Sequence, residues 1–172
     1  NLTYKGQIIN HQWSKSFEFE KLFGEYVKNF ISPDIVYFSL MRPFYEIRIV
    51  KMFSEYKKYF SYFSSCNRNF SSTKRLSGGL WCGECPKCVF IFILLSAFLN
   101  KKDLVAMFGK NLYEKEDLLP LFKDVLGLGT MKPFDCVGTF EEAQTAMYLA
   151  HKKFPGAFVM KRLKDTLRYS EN

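Results

Sequence analysis

Four of the five cysteines constrain this chain more than any other feature. Cys82, Cys85 and Cys88 stand at successive two-residue gaps in the run Trp81-Cys-Gly-Glu-Cys-Pro-Lys-Cys-Val89, and Cys66 lies 16 positions before the first of them. Thiols spaced in this way can converge on one tetrahedral ion, so a fold of this chain has to bring residue 66 to residues 82–88. The apolar run from Val89 predicts a helix, which would set Cys85 and Cys88 one turn apart at its start. There the positive end of the helix dipole favours thiolate, the form that binds metal. Four thiolates match a closed structural zinc site. An iron–sulfur cluster is the competing occupant, because the same triplet spacing occurs in ferredoxins, although their further cysteine follows the triplet. An odd cysteine count and a close triplet make a poor disulfide framework and point to a reducing compartment.

The remaining composition narrows the partners. A chain of 172 residues, 48% hydrophobic with 19 Phe and 10 Tyr, can build the core of one domain or slightly more. Lys and Arg outnumber Asp and Glu 25 to 17, a net charge of +8, which attracts phosphates on a nucleic acid, a nucleotide or a sugar nucleotide. The longest apolar run, Val89 to Leu99, falls well short of the ~20 residues that span a bilayer, so no membrane partner is expected. With no signal peptide visible, a cytoplasmic location is expected. The composition sets no oligomeric state. The chain opens on Asn and enters a strand-like segment with little preamble, and on that ground we expect it to be the C-terminal portion of a larger protein.

Gln7 to Ile9 is expected as a strand, followed by a polar loop and a helix with Ser16 as N-cap and Glu18 and Glu20 in its first turn. Phe19, Leu22, Phe23, Tyr26, Val27 and Phe30 recur at helical spacing. Ile35 to Phe38 is expected as a second strand, with a turn at Leu40-Met41-Arg42-Pro43 and a helix from about Phe44. Strand, loop and helix occurring twice predict an α/β class with part of a parallel sheet. The chain then divides into residues 1–63, the end of a nucleotide-binding α/β domain; 64–88, a four-cysteine zinc loop; and 89–172, a mostly helical region. In that last region Thr139 and Glu142 form the pattern of a capping box.

Several constellations could carry chemistry. His11, Ser14, Lys15 and Ser16 lie between a strand end and a helix start, where backbone amides, hydroxyls and an ammonium suit an anion. His11 could move a proton near neutral pH, or be an ordinary hydrogen-bonded histidine in a capped loop. Arg42 could clamp an oxyanion bidentately or be a surface arginine in a turn. Cys136, beside a turn and a helix start, is a candidate proton acceptor, against the commoner case of a buried inert thiol. Arg68, Lys74 and Arg75 form a basic cluster on the cysteine loop that could receive phosphates or simply face water. With Trp81, Tyr62 and Phe70 nearby, this cluster keeps a zinc-ribbon-like nucleic-acid module as the rival function. Ser77-Gly78-Gly79 lacks the lysine and strand context of a phosphate loop.

Residues from Leu40-Met41-Arg42-Pro43 through Ser65-Cys66 to Cys82-Gly83-x-Cys85-x-x-Cys88 resemble the second half of N-type ATP pyrophosphatases, 7-cyano-7-deazaguanine synthase above all. The runs Asn10 to Glu20, Ser65-Cys66-Asn67-Arg68, Trp81 to Cys88 and Cys136-Val137-Gly138-Thr139 are similar to bacterial UDP-N-acetylmuramoyl-L-alanyl-L-glutamate epimerases. That resemblance implies a cytoplasmic enzyme of peptidoglycan-precursor synthesis, with ATP and magnesium as cosubstrates and a UDP-linked muramoyl dipeptide as substrate. It implies inversion of the terminal L-glutamate with release of AMP and pyrophosphate. Nucleobase modification is the alternative within the same superfamily. The Ser-Gly-Gly-x-Asp-Ser type ATP loop of such enzymes does not occur in residues 1–172. Beside the resemblance, position and chemistry mark Lys15, Arg42 and Arg68 as anion contacts and Ser14 and Ser16 as hydroxyl donors. On the same grounds His11 and Cys136 are the acid/base candidates.

Overall fold

A computed structural model describes residues 2–9, 12–72, 76, 78–133 and 137–167, and divides the chain into two compact units, Asn1–Phe44 and Tyr45–Asn172. The expected divisions at 63/64 and 88/89 fall within the second unit.

The first unit corrects the expected fold class. Its strands β1 (Leu2–Tyr4) and β2 (Gln7–Ile9) form an antiparallel hairpin, with Leu2 opposite Ile9 and Tyr4 opposite Gln7. The turn residues Lys5 and Gly6 have φ of 49° and 76°. Two consecutive positive φ angles define the tight turn whose twist matches a two-residue hairpin loop, so β2 folds back on β1 instead of starting a crossover. Ile35 to Phe38, expected as a strand, joins no sheet. Among the described residues the hairpin is the only strand pairing, and no parallel sheet exists.

Helix α1 (Phe17–Tyr26) starts as its sequence demands. The Ser16 hydroxyl accepts the Phe19 N–H, with Glu18 and Glu20 in the first turn. It runs on through a π-helical turn, Val27–Ile31, which Ser32 ends by turning extended.

The second unit is all helix and loop among the described residues. It contains α2 (Glu46–Phe53), α3 (Pro86–Ser96), α4 (Lys101–Phe108), α5 (Leu119–Val125), α6 (Phe140–Ala150) and α7 (Phe158–Leu163). Helix α3 is apolar on every side, and a helix of that kind is stable only when surrounded. It is buried from Cys88 to Ser96 and packs against α2, α4, α5 and α6. Its one hydroxyl is satisfied: Ser96 bonds the Ile93 carbonyl at 2.6 Å and the Tyr113 hydroxyl at 2.7 Å. Lys153 Nζ closes the helix end by donating to the Ala97 carbonyl at 2.7 Å. Burial lowers the pKa of that ammonium.

The expected capping box is present. Glu142 Oε2 accepts the Thr139 N–H while Thr139 Oγ1 accepts the Glu142 N–H. The other oxygen, Oε1, accepts the Ile47 N–H at the start of α2, 95 positions away. One buried carboxylate therefore joins the starts of two helices.

Candidate metal centre

The start of α3 builds half of the cysteine cluster. Cys85 is its N-cap and Pro86 its first residue, where a missing N–H costs nothing, so Cys88 follows within the first turn. Gly83 makes the bend between Cys82 and Cys85 in the left-handed region, at φ 65°. A Cβ there would also sit 2.3 Å from Lys110 Cε. Ser64 draws the remote ligand in. Its hydroxyl donates to the Leu80 carbonyl at 2.6 Å and accepts the Cys66 N–H at 3.2 Å, which ties the Cys66 segment to the one leading into Cys82.

The four Sγ atoms of Cys66, Cys82, Cys85 and Cys88 all lie within 4.8 Å of one another. Cys82 and Cys88 are 3.6 Å apart. Zinc–sulfur bonds of about 2.3 Å put tetrahedral sulfurs about 3.8 Å apart, so the donor set fits that ion. Backbone donors face the sulfurs: Cys82 N–H points to Cys66 Sγ and Glu84 N–H to Cys82 Sγ, both at 3.4 Å. A hydrogen bond from the Cys88 thiol holds Cys85 down to about 4, and the same shared proton, with burial, pushes Cys88 up. Burial also raises Cys82. The thiol most readily ionised therefore stands at the N-cap of α3, where the helix dipole also favours thiolate.

Arg68 lies beside this centre and bonds Glu84 Oε2 at 2.7 Å, while Lys110 Nζ is 3.8 Å from Glu84 Oε1. Glu84 raises the Arg68 pKa, with the cysteine sulfurs contributing. Trp81 is 6% exposed and packs between Phe63 and Phe108 at ring distances of 5.4 and 4.5 Å. A ring so enclosed cannot stack on a nucleobase, although Tyr62 and Phe70 are exposed. Lys74 and Arg75 lie outside the described residues.

The other expected positions fall in the first unit or outside description. Ser14 and Lys15 are exposed in a short 3-10 turn, Trp13–Lys15. Arg42 donates through Nε and Nη2 to Glu20 Oε2 at 3.0 and 2.6 Å, and through Nη1 to the Lys15 carbonyl at 3.2 Å. That clamp ties the turn at 39–43 to the start of α1, and the guanidinium lowers the Glu20 pKa. His11 and Cys136 lie outside the described residues.

Sequence reasoning passed over Ser64, Gly83, Glu84 and Lys110. Gly83 was legible, since a glycine directly after a ligand signals a left-handed bend. Lys110 carries no local signal, because only the packing of the segment after α4 brings it to Glu84.

Comparison with known proteins adds a family context. Residues 62–170 match the MurL C-terminal domain and residues 1–40 match the MurL N-terminal domain. Three relatives carry the name UDP-N-acetyl-alpha-D-muramoyl-L-alanyl-L-glutamate epimerase. The chain is 42% identical to the one from Xanthomonas oryzae pv. oryzae over 139 residues, 81% of this chain and 31% of the relative. It is 36% identical over 149 residues, 87% of this chain, to those from Micromonospora sp. and Salinispora tropica, of which it covers 33% and 32%. The chain therefore spans about a third of the length of the curated relatives it matches. No solved structure matches it.

Proposed function

The chain belongs to the MurL C-terminal domain family, and from that premise we propose that the whole protein is an ATP-dependent glutamate epimerase acting on UDP-N-acetylmuramoyl-L-alanyl-L-glutamate in peptidoglycan-precursor synthesis. The observation that carries this reading is the agreement of the three relatives in name at 36–42% identity. A net charge of +8 suits two polyanionic substrates, and free thiols suit the cytoplasm, where nucleotide-linked precursors are made.

The chemistry explains the need for ATP. An α-hydrogen beside a free carboxylate resists removal, because the carbanion would stand next to a full negative charge. In the proposed reaction the carboxylate oxygen attacks the α-phosphorus of ATP and pyrophosphate leaves with magnesium. The resulting acyl adenylate is neutral at the carbonyl and withdraws electrons. A base takes the α-proton, a proton returns to the opposite face, and water cleaves the adenylate to carboxylate and AMP. In that scheme His11 and Cys136 remain the acid/base candidates, and Ser14, Lys15, Ser16, Arg42 and Arg68 the candidate contacts to anionic substrate. The ATP-handling part would be of the N-type pyrophosphatase kind.

Cys66, Cys82, Cys85 and Cys88 would hold a zinc ion. Bound there, zinc supplies a cross-link between the 64–72 and 80–88 segments, because four sulfur ligands leave no position for water. The protein residues do the rest: Ser64 aligns the two segments, Gly83 makes the bend, and α3 anchors the site in the core.

In deuterium oxide the full-length protein should place one deuterium on the glutamate α-carbon and release AMP and pyrophosphate, with both dependent on ATP and magnesium. Inversion without AMP release would refute the adenylation step. Metal analysis of the purified protein should return one zinc per chain, whereas a visible absorption band with bound iron would replace zinc by an iron–sulfur cluster.

A further inference from the structure

The first unit carries an apolar surface that its own residues do not cover. Among its described side chains only Val27 is a buried hydrophobe, while Phe30 is 76%, Val36 79%, Phe38 61% and Leu40 72% exposed. These residues belong to an organised face. Rings run along α1 and its π-helical turn from Phe19 to Phe23, Tyr26 and Phe30, with centroids 5.6, 6.3 and 5.2 Å apart. Tyr37 packs edge-on against Phe23 at 4.7 Å, which fixes the 35–40 segment against the same helix. Arg42 locks the far end of that segment through Glu20. The unit is thus held in shape by a few polar and aromatic contacts, with its large apolar groups facing outward. An exposed patch of this kind marks an interaction surface.

Three observations select what covers it. Residues 1–40 match the MurL N-terminal domain, a different domain from the one matched by residues 62–170. About two thirds of each relative's length lies outside the match to this chain. A stretch of some 40 residues rarely folds alone without disulfides or metal, and the four clustered thiols all lie in the other unit.

We propose that the apolar face formed by α1, its π-helical turn and residues 35–40 is an internal face of the MurL N-terminal domain, covered by the part of that domain that lies outside residues 1–172. The inference rests on family membership and not on the reaction proposed above, so its test reads burial instead of turnover. Residues 17–44 then serve as the closing layer of a domain whose body is supplied by the rest of the polypeptide.

A chimera tests it. The rest of the MurL N-terminal domain of the Xanthomonas oryzae relative is fused to residues 1–172, and hydrogen exchange and binding of a hydrophobic dye are compared with the 172-residue chain alone. Residues 17–40 should exchange much more slowly in the chimera, and dye fluorescence should fall several-fold. Phe30→Asp and Val36→Asp, at positions open to solvent in the chain, should leave its melting unchanged but lower that of the chimera by more than about 5 °C. As a second measurement, that rest of the N-terminal domain is co-expressed as a separate tagged piece. It should retain the untagged chain, and Phe30→Asp should weaken retention about tenfold. The proposal is overturned if the two variants are silent in the chimera or if co-expression yields no complex. It is equally overturned if residues 17–40 are already protected in the chain alone, whether by a second copy, seen as a dimer in sedimentation, or by residues 45–167, seen as cross-links in a monomer.

Discussion

Both units are rich in aromatic residues, yet among the described residues only the second encloses a set of them. In the second unit Phe90, Phe92, Tyr113 and Phe122 are at most 1% exposed, while in the first Phe17, Phe30 and Phe38 are more than half exposed. The difference lies in closure. The second unit wraps four helices around α3, so the rings that face α3 find neighbours on all sides, while Tyr45, Tyr62 and Phe70 stay exposed. Among the described residues the first has α1 with its π-helical turn, a short 3-10 turn, a six-residue hairpin ladder and the 32–40 segment, which together enclose only Val27. Apolar content supplies the driving force for a core, but only enough packed elements to surround it turn that force into stability.

Experiments that break one unit and leave the other should sharpen this contrast. The largest effect is expected from metal removal or Cys85→Ser, since structural zinc contributes on the order of 10 kcal/mol in small domains. Residues 64–80 should become the first protease target, with hydrogen exchange across 17–26 unchanged. Undiminished protease resistance after complete chelation would mean that the loop needs no ion. Next is Phe92→Ala, which removes a fully buried ring and should cost about 3–5 kcal/mol in urea denaturation. The matching change in the first unit, Phe38→Ala, should stay within about 0.5 kcal/mol in the isolated chain.

Glu142→Ala ranks third. It leaves the Ile47 and Thr139 N–H groups without their acceptor, a loss of about 1–3 kcal/mol readable as a lower melting temperature. The smallest effect concerns the Arg42–Glu20 clamp. Arg42 lowers the Glu20 pKa, so the contact is fully present above the ordinary Glu value of about 4.3 and is lost as pH falls through the lowered one. The Glu20 side-chain carboxyl resonance should therefore titrate below the ordinary Glu range, and Arg42→Gln should return it to that range. A Glu20 titration that Arg42→Gln leaves unmoved would show that the clamp does not persist in solution.

The hairpin shows why strand-like stretches here do not build a parallel sheet. Gln7-Ile8-Ile9 and Ile35-Val36-Tyr37-Phe38 both carry the β-branched and aromatic residues of strands, and propensity is all that a local stretch can state. Pairing is a non-local property. Lys5-Gly6 gave β2 a partner three residues away, while nothing among the described residues ladders with 35–38. Where the signal was local and strong, the outcome was legible. Ser16 and Thr139 cap their helices, and the apolar run from Val89 forms a helix buried in the core.

Local sequence alone determined that Cys85 and Cys88 share a helix start, because a proline just ahead of the apolar run fixes where the helix begins. The apolar run from Val89 also determined that α3 would be interior, since a helix apolar all round has no face to offer water. Only the tertiary structure decided that Cys66 would reach them through Ser64, that Glu142 would hold two distant helix starts, and that Arg42 and Arg68 would each hold a carboxylate. The reason is range. Backbone propensity and capping act within a turn or two of chain, whereas a hydrogen bond across 16 or 95 residues exists only after helices have packed and brought its partners together.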